Sequence, residues 1–183
     1  MASADLPLIE RRLRRKYEWA RARRAFWGFT PSLLIVAGAA LFAKHPSYAL
    51  IFGAGMFAFG VAALWYGREL RKAVLPGVAL GLIPLTLALC ANQMQHACMG
   101  GACMTVCLPA CTIGGFVAGV GIAIVGHRQK QDLGYWLAAS TITVLTGAMG
   151  CSCVGYAGVV GLVAGFVIGL IPAFGRRLLR RRT

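Results

Sequence analysis

Apolar runs and short polar breaks divide this chain into segments of nearly equal length. Uninterrupted apolar stretches run from Phe26 to Ala43, Tyr48 to Gly67, Ala73 to Ala91, Thr105 to Val125, Tyr135 to Gly150 and Val154 to Phe174. Each approaches the roughly 20 residues that a helix needs to cross a hydrocarbon layer about 30 Å thick. The pattern predicts an all-α polytopic membrane protein, with six transmembrane helices arranged as three hairpins. The fifth stretch is short and carries threonines, so its ends are the least defined. Ahead of the first stretch, Leu6, Ile9, Leu13, Tyr17 and Ala20 recur at helical spacing, while Arg11, Arg12, Arg14, Arg15 and Lys16 fill the other faces. This reads as a basic amphipathic helix with Asp5 as its cap and Pro7 in its first turn, where the missing N–H is not needed. The expected division is residues 1–25 as a juxtamembrane helix, 26–175 as the transmembrane domain and 176–183 as a basic tail.

Composition agrees with the pattern. The chain is 58% apolar and 13% charged, with 24 glycines among 183 residues. A soluble fold of this size has no interior large enough to hide so many apolar runs. Between Phe26 and Ile171 charge is confined to Lys44, Arg68 to Lys72 and Arg128 to Asp132. The net charge of +14 is therefore concentrated beside the apolar runs, where it meets anionic headgroups, and direct nucleic-acid binding is not expected. The N-terminal segment, the breaks after Gly67 and Gly126 and the C-terminal tail are basic; the other breaks offer only Lys44. By the positive-inside bias both termini are expected in the cytoplasm of a bacterial-type inner membrane, with the remaining breaks exoplasmic. The first helix is too long for a signal peptide core and is expected to be retained. Anionic lipid at the cytoplasmic face is the expected partner of Arg11 to Lys16, and a cytoplasmic protein docking on residues 5–24 is the alternative. Trp27, Trp65, Tyr66, Tyr135 and Trp136 fall near the cytoplasmic ends as an interfacial belt, and other methionines and aromatics read mostly as lipid-facing bulk.

Chemistry gathers in the exoplasmic breaks. Residues 90–111 read CANQMQHACMGGACMTVCLPAC and hold Cys90, Cys98, Cys103, Cys107 and Cys111, while Cys151 and Cys153 occupy the next such break. Cys103, Cys107 and Cys111, at steps of four, share one helical stripe, and Pro109 removes a helical donor in the same region. Three chemistries are open to these seven thiols. On an oxidising side they can form disulfides, of which a labile pair would be a redox device. Cys103, Cys107, Cys111, Cys151 and Cys153, with Met104 and His96, form a soft donor set suited to a thiophilic ion such as copper(I). Cysteine is also an ordinary small apolar core residue. His45 and His127 have weaker claims on any site.

The cysteine lines continue into glycine lines. Gly115 and Gly119 extend the stripe of Cys107 and Cys111, and Gly161, Gly165 and Gly169 form a similar stripe after Cys153. Small residues at this spacing let helix backbones approach, so these two segments are expected to pack on each other and to bring Cys103, Cys107 or Cys111 to Cys151 or Cys153. Residues 115–119 and 161–165 also align at an offset of 46, as a duplicated hairpin or a shared demand for small residues would produce.

Glu69 and Asp132 lie in breaks, and no acidic residue falls within an apolar run. A proton relay or a nucleophile and base pair therefore has no obvious members, and catalysis other than thiol–disulfide chemistry is not expected. The layout of a short basic cytoplasmic segment, six spans and exterior cysteines is similar in topology to polytopic bacterial membrane regulators that hold a sigma factor at the membrane. The expectation is a membrane sensor or regulator whose thiols answer redox state or a soft metal. Transport or handling of a thiophilic metal, and a structural role with stapled hairpins, are the alternatives.

Overall fold

The structure, a computed structural model, describes residues 6–42, 46–93, 103–128, 132–151 and 155–180. These form seven helices: α1 (Leu6–Phe29), α2 (Ser32–Phe42), α3 (Pro46–Tyr66), α4 (Arg68–Gln93), α5 (Cys103–Arg128), α6 (Leu133–Cys151) and α7 (Tyr156–Arg180). The all-α class agrees with the sequence pattern, but six spans in three hairpins does not. Among the described residues, three segments are long and apolar enough to cross a membrane: Pro46–Tyr66, Leu70–Ala91 and Cys107–Arg128. A fourth is reached only if the bent pair α1–α2 is one span.

Each correction has a local cause. In the first expected span, α1 runs on to Phe29, and the axis then turns by 42° before α2 begins. Pro31 has no backbone N–H, Thr30 Oγ1 donates to the carbonyl of Phe26 (3.0 Å) and Ser32 Oγ donates to that of Phe29 (2.7 Å), so side chains serve carbonyls at the break. The 11 residues of α2 extend only about 16 Å. In the fifth, Ser140, Thr141, Thr143, Thr146, Gly147 and Gly150 dilute the apolar character of α6, which lies deep among its neighbours with Tyr135, Ile142, Thr143, Thr146 and Met149 all buried. In the sixth, the apolar helix among the described residues is Tyr156–Pro172, short of the 18 residues a span needs. The placing of both termini on one side rested on six crossings and lapses with that count.

Nor are the closest pairs consecutive hairpins. α5 packs most extensively on α7 and α4 on α6. The register shows that each pair is parallel. A Cβ added to Gly77 would meet Ile142, one on Gly81 would meet Thr146, and one on Gly147 would meet Pro84, so positions advance together along α4 and α6. The same holds for α5 and α7, where Gly161 faces Leu108 and Gly169 faces Phe116. α4 and α5 run antiparallel, with Gly114 against Pro84 and Gly121 against Leu80. Small residues drive this interleaving, because they let a helix approach its second neighbour as closely as its first.

Three apolar clusters fill the bundle. One joins Phe29, Val36, Met56, Val74, Leu85, Ile142 and Met149 across α1 to α4 and α6. A second, at the end where α5 finishes and α6 begins, contains Ala73, Ile122, Tyr135, Trp136 and Phe166. Tyr135 and Trp136 are therefore core residues and not an interfacial belt, and Met56 and Met149 are buried, not lipid-facing. The third cluster, at the opposite end, is built around cysteines: Ala88, Cys111, Ala148, Cys151 and Leu162.

Candidate thiol site

The antiparallel and parallel registers bring the end of α4, the start of α5, the end of α6 and the start of α7 to one end of the bundle. Cys107 and Cys111 are one turn apart on α5, and both are buried. The helix continues through Pro109, with Thr112 Oγ1 donating to the carbonyl of Leu108 at 2.6 Å. Cys151 is the last residue of α6 and is fully buried. Its thiol is hydrogen-bonded to the Cys111 sulfur, so two helices from different parts of the chain each supply one sulfur to a single contact. Both are reduced thiols, as are Cys107 and the exposed Cys90.

Backbone approach holds the pair in place. Gly150, next to Cys151, sits so close to α4 that an added Cβ would lie 2.9 Å from the Leu85 carbonyl oxygen and 3.1 Å from Ala88 Cβ. After α6, Gly155 takes φ of 76°, a left-handed conformation that glycine adopts without steric cost and that starts the chain into α7. On the other side, Gly115, Gly119, Gly165 and Gly169 bring α5 and α7 backbone to backbone; a Cβ on Gly119 would lie 3.3 Å from Gly169 Cα. Gly161 meets the Leu108 side chain instead, with its added Cβ 3.0 Å from Leu108 Cδ1. Leu162, carried on the same helix as these glycines, packs against the thiol cluster.

Ala88, Ala148 and Leu162 surround the two sulfurs, and Phe52 and Val159 pack on the cluster from α3 and α7. Phe52 and Val159 also line an apolar cavity of about 180 Å³, together with Tyr48, Ile51, Gly155 and Tyr156. The rings of Tyr48 and Tyr156 meet edge-on at its mouth, 6.4 Å between centroids. A small apolar space thus ends one side chain away from the thiols.

Cys98, Cys153 and His96 lie outside the described residues, as do the side chains of Cys103 and Met104. Among the described residues, no group of three or more His, Cys, Asp or Glu converges in a way that could hold a metal ion. His127 ends α5 together with Arg128, away from the thiols. Arg11, Arg12, Arg14, Arg15 and Lys16 are all exposed on α1, as are Leu13 and Tyr17, so the apolar positions of that stretch do not rest on the bundle. Arg14 pairs with Glu18 at 3.5 Å.

Two hydroxyls that sequence reasoning passed over lie in the core of the bundle. Thr143 Oγ1 is 3.0 Å from the Gly77 carbonyl of α4 and 2.8 Å from the Ala139 carbonyl of its own helix. Thr146 Oγ1 is 2.7 Å from the Ile142 carbonyl and 3.1 Å from Met56 Sδ of α3. Gly77 and Gly81, four residues apart in an apolar run, were the available signal for this contact. Comparisons with family models, curated proteins and solved structures gave no match.

Proposed function

We propose that this chain is a membrane-embedded thiol sensor or regulatory protein, in which Cys111 and Cys151 are the responsive pair. The hydrogen bond between these two buried sulfurs, contributed by α5 and α6, carries the reading. Oxidation joins them: two S–H bonds break, one S–S bond forms, and two protons and two electrons pass to a peroxide, which is reduced to water and an alcohol. A bulky protein disulfide is a poor oxidant for sulfurs covered by Phe52, Val159 and Leu162, whereas a small molecule is not excluded by them. The product links α5 to α6, and α6 holds α3 and α4 through Thr146 and Thr143. The basic N-terminal helix, exposed at the other end, is the surface through which the state of the bundle reaches a cytoplasmic partner.

In this reading the cysteine end faces the exoplasmic side. Arg71 and Lys72 at the start of α4 and His127 and Arg128 at the end of α5 lie at the opposite end of the bundle, which is the distribution that the positive-inside bias assigns to the cytoplasm.

Intact-mass alkylation of the full chain in native membranes tests both statements. After mild peroxide treatment two thiols should be lost to alkylation and restored by reductant. Cys111→Ala and Cys151→Ala should each abolish that loss, and Cys107→Ala should not. An impermeant maleimide applied from outside should reach Cys90. Full alkylation of the wild type after peroxide would overturn the redox reading. Two sulfurs also make a soft two-coordinate donor set, which favours metal handling as the second reading: protection by copper(I) without any loss of the two thiol protons' mass on oxidation would favour it.

A further inference from the structure

We propose that the cleft between α1 and the α3–α4 junction binds the phosphate of an anionic glycerophospholipid through Arg21, Arg24 and Arg71. The site lies at the end of the bundle opposite the thiols and does not depend on their chemistry.

The cleft measures about 710 Å³ and is lined by these three arginines with Tyr17, Leu64 and Gly67. Arg21 and Arg24 are three residues apart on α1, so they share a face of that helix. Arg71 comes from a different helix, near the start of α4, where its backbone N–H donates to the Gly67 carbonyl at 3.1 Å. Three guanidinium groups therefore line one space from two directions. Among the described residues none of the three has an ion pair, and no acidic side chain lines the cleft; Glu18, the nearest along α1, is engaged with Arg14 outside it. Like charges gathered in one cleft repel one another, and a bound anion removes that repulsion. Arginine presents paired N–H donors that match two oxygens of one phosphate group, and Tyr17 lines the same cleft.

The neighbourhood selects a lipid over a soluble phosphate compound. Trp27, Trp65 and Tyr66 are exposed around this end of α1 and α3, and such amphipathic rings favour the headgroup level of a bilayer. Leu64 gives the cleft an apolar wall on α3, a helix long and apolar enough to cross the membrane. A headgroup phosphate in the cleft would leave its acyl chains free to descend along that helix.

Native mass spectrometry of the full chain in nonionic detergent, titrated with dioleoyl phosphatidylglycerol, tests the site. One retained lipid is expected at concentrations where phosphatidylcholine shows none. The double variant R24Q/R71Q should weaken retention at least tenfold. R12Q/R15Q, which removes the same charge from α1 outside the cleft, should leave it within twofold. If R24Q/R71Q does not yield folded protein, R24K/R71K keeps both charges and should still lose several-fold, because lysine lacks the fork. An equal loss in the cleft and outer variants would overturn the proposal in favour of diffuse attraction. Displacement of the lipid by an equal concentration of glycerol 3-phosphate would overturn it in favour of a soluble ligand, and equal retention of phosphatidylcholine would remove the role of anionic charge.

Discussion

The two parallel helix pairs solve the same problem with different contacts. Both α5/α7 and α4/α6 place glycines where the partner comes closest. In α5/α7 the partner atoms are backbone: a Cβ on Gly115 would fall on the Leu162 carbonyl, and one on Gly165 on that of Thr112, with Phe116 N at 3.1 Å. In α4/α6 the fit at Gly77 is looser: a Cβ there would lie 3.1 Å from Ile142 Cβ and 3.2 Å from the Ala139 oxygen. α4/α6 adds a hydroxyl, Thr143, that reaches across to the Gly77 carbonyl. Neither a carbonyl nor a Cβ can turn aside without moving its helix, so the cost follows the distance to be made up, which is large at Gly115 and Gly165 and a few tenths of an ångström at Gly77. The first pair should therefore tolerate no added atom at these positions, and the second should tolerate a small one at Gly77.

The largest effect expected is at Gly165. Gly165→Ala places a methyl group on the Thr112 carbonyl, so α5 and α7 must separate along their length, at a cost of about 3 kcal/mol. Reversible unfolding in mixed micelles measures it. The same experiment on Gly77→Ala is the direct comparison. There α4 and α6 need part by only a few tenths of an ångström, and alanine gains back up to about 1 kcal/mol of helix propensity, so the net change should stay within about 1 kcal/mol of zero. Equal losses at the two positions would mean that the pairs do not differ as their contacts suggest.

The sequence was most legible where a single residue type carried the contact. Glycines at 115, 119, 161, 165 and 169 point to α5/α7 because backbone contact needs only small residues at a fixed step. The thiol contact was half visible: Cys111 and Cys151 were among the candidates, but selecting them needed the register between α5 and α6, which no spacing within either segment contains. α4/α6 was hidden because its glycines are shared with Pro76, Pro84 and large residues, and its threonines looked like dilution of an apolar run. The span count failed for a related reason. Six apolar stretches of similar length suggest six equivalent helices, but α6 is diluted by threonines and glycines and buried by its partners, and the first stretch contains a proline break that composition alone does not weigh. Tyr135 and Trp136 illustrate the same limit, since aromatic residues near a helix end suit a membrane interface and a protein core equally well.

Thr143→Val is expected to have the smallest effect, and it isolates the feature that separates the two pairs. Valine keeps the shape of threonine and loses only the hydroxyl, so α4 and α6 need not move apart. The carbonyls of Gly77 and Ala139 lie within helices and can keep their own backbone donors, which leaves no buried group without a partner. Hydrogen bonds between membrane helices contribute about 0.6 kcal/mol on average, because the separated helices find other partners for the same groups. A loss near that value, measured by unfolding in mixed micelles, would mean that close packing holds α4 to α6 and that the hydroxyl chiefly fixes their register. A loss above about 2 kcal/mol, beyond the usual range for such bonds, would reverse the ranking: Thr143 would then be the main link of that pair, and the tolerance expected at Gly77 would follow from a strong hydrogen bond instead of from the small displacement that an added methyl group requires.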